Sequence, residues 1–330
     1  MGRRDAHFLN TIVFMIGLYW AGMAFTVVPL HNLHLPPGTI IPFGNDFVLQ
    51  DMPQWVKDDK GILGDINYYD RQAILQDQHA LVAEYEANSI GQPDPAWPKE
   101  SRRSIQRSKD EAAVLANLAI WLKQPSTVCF TIVLHAISVI QHVDGRLPLI
   151  CHPNDVQSIV DKDDVAKAGQ IHAVLCSIPR KNSVWTAMRA LWAALTTNEA
   201  DIRYSLLWIA LEALFGDEGP SGEITHKLAE RIALFLADTP DEARGLYHKT
   251  KKSYQKRSII VHGRFNNDSV IDEFMAHSEA ILRTTLRHLL DKPDLLNTFT
   301  SEQRSNFVGD LIFSRAANLA RLSNNTPNTV

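Results

Sequence analysis

Residues 239–264 read TPDEARGLYHKTKKSYQKRSIIVHGR, and they hold both the start and the stop of one long helix. Thr239 is a residue type that accepts hydrogen bonds from the free amides at a helix start. Pro240 suits the first helical position, because its ring already holds φ near the helical value. Glu242 stands where its carboxylate can reach back to the cap. His262-Gly263 supplies a stop, since glycine readily takes the conformation that ends a helix. The segment therefore predicts one long helix over about 241–262. A helix this polar is not stable alone and implies neighbours that cover its apolar edge.

Those neighbours are legible on both sides. Val165, Ala168, Ile171 and Leu175 mark one helical face, ended by Pro179. Ser183 can cap a second helix with Val184, Ala187, Met188, Leu191 and Leu195 inward. Ile202, Leu206, Ile209, Ala213 and Leu214 mark a third, with Gly216 where a left-handed residue is expected. Ile224, Leu228, Ile232, Phe235 and Leu236 mark a fourth. Beyond the long helix, another is expected over about Ser269–Leu290, with Ile271, Phe274, Met275, Ile281, Leu282, Leu286 and Leu289 inward. A short helix near Glu302–Ser314 then precedes a polar tail. Trp185, Trp192 and Trp208 fall at core positions. Amphipathic helices in succession, joined by short loops, predict an antiparallel bundle.

Before about residue 160 the pattern changes. Pro, Gly, Asn and Asp punctuate short β-branched and aromatic runs, which are strand-and-turn signals. Strands are expected at Phe25–Val28, Thr39–Ile41, Phe47–Leu49, Val128–Ala136 and Leu147–Cys151. Helices are expected over about Tyr68–Ala87 and Ser101–Lys123, with a loop at Gly91–Pro98. The expected fold is α+β, mostly α. A mixed α/β domain (1–160), sensing or regulatory, precedes a helical bundle (161–295) and a short helix with a flexible tail (296–330). A length of 330 residues suits two domains.

Phe8–Leu30 carries no charge and follows Arg3 and Arg4, so it has the length of a membrane span or the layout of a signal peptide. It also holds Asn10, Gly17, Gly22 and Pro29, and it runs directly into strand-and-turn sequence. Buried strands or a buried helix are favoured over a span, and the chain is expected in the cytoplasm. The formal charge of −4 excludes a uniformly basic nucleic-acid binder, so phosphate contact requires a local patch. Cys129, Cys151 and Cys176 are widely spaced and form no CxxC pair; free thiols in a reducing compartment are expected. No glycine-rich phosphate loop, GxSxG or HExxH occurs. His31, His34, His135, His142, His152 and His172 lack ligand spacing, and neither a metal nor a cofactor is expected.

Ala243–Arg264 supplies the local patch, with Arg244, Lys249, Lys251, Lys252, Lys256, Arg257 and Arg264 and no acidic residue. On charge alone, an RNA-binding face and a solvated helix face stand even. The order RSIIVH adds chemistry. An arginine can hold phosphate oxygens, and a histidine can move protons near neutral pH. Residues five apart on a helix differ in direction by about 140°, so Arg257 and His262 do not share a face. Ser258 and His262 do, and Tyr254 extends their row. Two such helices crossing at a twofold axis would bring two Arg and two His into one groove, which predicts a homodimer.

The segment YQKRSIIVHG (254–263) resembles the motif segment of ApeA-like HEPN domains. There an aromatic, the Arg, a small polar residue, an apolar run, the His and a Gly recur. LLWIALEALFG (206–216) and ITHKLAERIALFL (224–236) are similar to the two preceding helices of that family, and residues 25–60 more loosely to its leader regions. The resemblance implies a dimeric helical bundle, often a metal-independent ribonuclease of toxin or anti-phage systems, with an antitoxin or defence-system partner. It implies catalytic roles for Arg257 and His262. Ser258 falls where active members commonly carry Asn, Asp or His, and some HEPN domains only bind. Supporting roles are expected of Ser258, Tyr254 and Glu212, and RNA contacts of Lys249, Lys252, Lys256 and Arg264. Glu212, inside an apolar run, needs a partner; an ion pair with Arg231 or another helix is favoured, and orientation of Arg257 is the functional alternative. His226 is expected on the helix surface or against a loop.

Overall fold

A computed structural model describes residues 23–58, 68–86, 99–125, 128, 132–136, 140–144, 160–197, 199–216, 224–261 and 268–324. The chain divides into two compact units, Met1–Cys176 and Ser177–Val330.

In the first unit the described strands form one antiparallel sheet. They are β1 (Met23–Leu30), β2 (Ile41–Phe43), β3 (Phe47–Asp51), β4 (His79–Glu86), β5 (Ile132–Ala136) and β6 (Ile140–Asp144), in the order β2-β3-β4-β1-β5-β6. Val27, Val28 and Leu30 of β1 and Ala80 and Leu81 of β4 are buried, so the central strands read as continuous apolar runs. The part of the uncharged N-terminal stretch that is described is therefore a sheet strand paired on both edges. Among the described residues no helix is long and apolar enough to cross a membrane.

The single helix expected over 68–87 is instead two elements. Helix α2 (Tyr68–Gln76), which follows the short α1 (Gln54–Asp58), ends before Asp77, and His79–Glu86 is strand β4. Ala, Leu and Glu in HALVAEYE favour a helix locally, but pairing with β1 and β3 outweighs that propensity. Strand β2 lies two residues later than expected, and α3 (Lys99–Lys123) matches its forecast closely. The strand expected at Leu147–Cys151 lies outside the described residues.

Helix α4 (Lys162–Ser177) belongs to the first unit, so the division falls one helix later than the change of pattern at 160. Gly169 permits this packing: a Cβ there would lie 3.0 Å from the Phe43 Cα. Three residues on, the buried His172 packs against Phe43 and Phe47 and pairs its Nε2 with the Ala112 carbonyl of α3 at 2.9 Å. Burial pushes the His172 imidazole below its usual pKa, toward the neutral form.

The second unit is wholly helical among its described residues: α5 (Ser183–Leu195), α6 (Ala200–Phe215), α7 (Ile224–Leu236), α8 (Pro240–Val261), α9 (Asp268–Leu290), α10 (Pro293–Thr300) and α11 (Arg304–Asn324). Every inward residue named for α5 and α9 is buried. The cap of α5 is Asn182 rather than Ser183, its side chain accepting from the Trp185 amide at 2.8 Å. Helix α6 is apolar almost all round, so its inward face could not be read from period alone. The buried face carries Leu207, Trp208, Leu211 and Phe215, whereas Ile202 and Ile209 of the expected face are exposed. Gly216 is extended rather than left-handed, with φ −69°. The C-terminal region holds two helices instead of one, α10 being the addition.

The start of α8 is as its sequence dictates. Thr239 Oγ1 accepts from the Glu242 amide at 3.3 Å while Glu242 Oε2 accepts from the Thr239 amide at 3.1 Å. Replacing Thr239 by Ala is expected to cost about 1 kcal/mol of stability. Urea denaturation of Thr239→Ala against the parent measures this, and an unchanged midpoint would show that the reciprocal cap contributes nothing.

Candidate functional site

Helix α8 is held by its apolar edge, and that edge aims the motif residues. Thr250, Ser253, Tyr254 and Ile260 are buried. Ser253 is fixed by Tyr204 of α6, whose hydroxyl donates to the Ser253 carbonyl at 2.6 Å and lies 2.7 Å from its Oγ. At the next residue, the Tyr254 ring meets Trp208 edge-on with centroids 4.9 Å apart. These contacts set both the height and the rotation of α8 against α6.

Glu212 converges with Tyr254 and Arg257. The Tyr254 hydroxyl donates to Glu212 Oε1 at 2.7 Å. Arg257 Nη1 lies 3.0 Å from the same oxygen and donates to the Tyr254 oxygen at 3.4 Å. The guanidinium carbon also sits 5.6 Å from the centre of the Tyr254 ring. Burial, then the hydrogen bond to Glu212, push the Tyr254 phenol up to about 12, so it remains a donor at any working pH. Glu212 and Arg257 side chains are each three-quarters covered, enough to order the pair and still leave the arginine reachable.

The partner of Glu212 is therefore Arg257, the functional alternative, and not Arg231. Arg231 is buried and donates from Nη1 to the Phe215 carbonyl at 3.0 Å. Among the other expected site residues, Ser258, Lys249 and Lys252 are exposed and Lys256 is half-buried. His262 and Arg264 lie outside the described residues. Glu212 also borders a polar pocket of about 580 Å³ that includes Lys181, Thr186 and Arg304.

Chemically, the Glu212–Tyr254–Arg257 cluster presents a fixed guanidinium that uses Nη1 twice, so Nη2 can meet an oxyanion. Arg257 lies five residues before His262, which is outside the described residues. Among the described residues, no group of three or more His, Cys, Asp or Glu side chains is placed to hold a metal ion.

Sequence reasoning passed over Tyr247. Its ring packs against His226 of α7 at 5.4 Å between centroids and against His248 at 5.1 Å. His226 is thus exposed on the surface of α7, as expected, and contacts Tyr247 of α8. The signal was available: Tyr247 precedes Tyr254 by seven residues, on the same edge of α8.

Compared with protein-family models, with curated proteins and with solved structures, the chain shows no match.

Two measurements probe this arrangement. In a double-mutant cycle, Tyr254→Phe and Glu212→Gln are expected to couple by about 1 kcal/mol in urea denaturation; strict additivity would show that the pair does not interact. The second concerns His277 of α9, whose Nε2 lies 3.4 Å from Thr250 Oγ1. Burial, with a contribution from Lys249, lowers its pKa to about 4. The unfolded chain then binds a proton that the folded chain refuses between the ordinary value near 6.5 and about 4. This group's contribution to stability should therefore be full above the upper value and decline as pH falls to the lower one. His277→Asn should flatten that part of the pH–stability curve.

Proposed function

We propose that this chain is a HEPN-type endoribonuclease that cleaves RNA without a metal, its active site assembled between two copies. The observation that carries the reading is the anchoring of Arg257 by Glu212 and Tyr254. A surface arginine needs no such support, whereas one that must hold a phosphate in a fixed place does. The neighbouring YQKRSIIVHG segment supports the same reading through its resemblance to HEPN motif segments.

In the proposed reaction a histidine base, His262, takes the proton of a ribose 2′-hydroxyl. The 2′-oxygen attacks the adjacent phosphorus, the bond to the 5′-oxygen breaks, and a protonated histidine returns a proton to that leaving oxygen. Arg257 stabilises the negative charge that builds on the phosphoryl oxygens. The products are a 2′,3′-cyclic phosphate and a 5′-hydroxyl. Lys249, Lys252, Lys256 and Arg264 bind the RNA backbone. The five-residue spacing of Arg257 and His262, which on a helix would set them about 140° apart, favours a homodimer in which each copy completes the other's site. In this reading the protein is cytoplasmic, acts as a toxin or anti-phage effector and answers to an antitoxin or defence partner. Its N-terminal unit senses the trigger.

A second reading, a non-catalytic HEPN scaffold for RNA or a partner protein, is favoured by one feature. Arg257 is already charge-paired with Glu212, and the residue beside it is an exposed serine.

The purified protein should cut single-stranded RNA in EDTA and leave 2′,3′-cyclic phosphate ends. Arg257→Ala and His262→Ala should each slow cleavage by about a hundredfold or more, the usual worth of an acid–base or oxyanion group. Equal rates for both variants and the parent would overturn the assignment. Binding without cleavage by the parent would favour the scaffold.

A further inference from the structure

We propose that the edge of α8 from Tyr247 to Ser258 is a track for single-stranded RNA, with Tyr247 and His226 forming a base-stacking subsite at its far end. This rests on the reading of RNA as the ligand but not on catalysis. At about 100° per residue, Tyr247, Lys251, Tyr254 and Ser258 point within about 60° of one another. They form one row along the helix, in which Tyr254 is buried and Tyr247, Lys251 and Ser258 are reachable, and its near end stands at the Glu212–Arg257 pair. From Tyr247 to Ser258 the rise is about 16 Å. A strand bound at Arg257 covers that distance with a few nucleotides.

The far end is built from rings and cations. Tyr247 lies between His226, at 5.4 Å with planes 60° apart, and His248, at 5.1 Å. Lys251 Nζ lies 3.2 Å from the Tyr247 oxygen and 5.5 Å from its ring centre. His226 and His248 are exposed, while Tyr247 and Lys251 are half-buried. The rings are thus held by packing between α7 and α8, with His226 and His248 exposed beside the half-buried Tyr247. Exposed Arg244 lies three residues before Tyr247 on α8, and exposed Lys227 follows His226 on α7. Glu230 is the carboxylate paired there, its Oε2 3.8 Å from His226 Nδ1. Ordered rings beside an excess of positive charge are what an unpaired base and its phosphate require, whatever the base. A duplex keeps its bases stacked inside and gains nothing from the rings.

The test is fluorescence anisotropy with the full chain and a labelled 2′-O-methyl oligonucleotide, which cannot be cut, as a single strand and as a blunt duplex. The parent should prefer the single strand. Tyr247→Leu and His226→Ala should each weaken single-strand binding about fivefold or more, the lower end of what one stacked base contributes, without changing its salt dependence. Lys251→Gln should instead reduce the slope of log Kd against log salt by about 0.7. His226 is exposed, so His226→Ala reports even if Tyr247→Leu unfolds. Unchanged affinity in folded His226→Ala and Tyr247→Leu, or equal binding of duplex and single strand by the parent, overturns the proposal. A parent that binds as expected but never cleaves natural RNA upholds the track while the nuclease reading falls. A parent that binds no RNA removes both.

Discussion

The carboxylate of Glu212 is the constraint on which the packing of α8 against α6 depends at the candidate site. It accepts from the Tyr254 hydroxyl and pairs with Arg257, and so ties the last described turn of α8 to α6. A carboxylate inside the run WIALEALFG is costly unless it is paired, and an arginine three-quarters covered is costly for the same reason. Each group makes the other tolerable. Removing either partner would leave a half-buried charge, so the pair is held in register by more than its own attraction.

The packing around the pair explains its precision. Trp208 meets Tyr254 edge-on, and Tyr204 clamps Ser253 one residue earlier. Serine at 253 is itself 3.2 Å from Ser278 of α9, so three helices meet along this edge. The reciprocal cap at Thr239 and Glu242 fixes the other end of α8. A helix secured at both ends and along one side presents its remaining residues, from Arg244 to Ser258, as a rigid basic surface. Rigidity of that kind is what an RNA-handling surface needs to place one phosphate against one arginine.

Much of this was legible in residue order. The capping box, the helix it starts and the inward face of α9 follow from spacing alone. The failures have physical causes. HALVAEYE became β4 because pairing on both edges outweighed helix-forming side chains. The inward face of α6 was misassigned because Ile202, Leu206 and Ile209 are as apolar as the Leu207, Trp208 and Leu211 that are buried. Periodicity carries no information when both faces are greasy. The choice of Arg257 over Arg231 for Glu212 was likewise not decidable from sequence, because both lie within a helix-packing distance that only the tertiary fold sets. Gly169 and His172 drew α4 into the first unit through close backbone approach, a signal with no period at all.

The proposed nuclease centre is completed across two copies, with Arg257 of one and His262 of the other acting on the same phosphate. Co-expression of Arg257→Ala and His262→Ala chains, each tagged so that the mixed dimer can be isolated, tests it most directly. The account predicts that the mixed dimer, which retains one intact arginine and one intact histidine on different chains, recovers RNA cleavage that neither variant shows alone. A mixed dimer as inactive as its parents, or two chains that never associate, would contradict it.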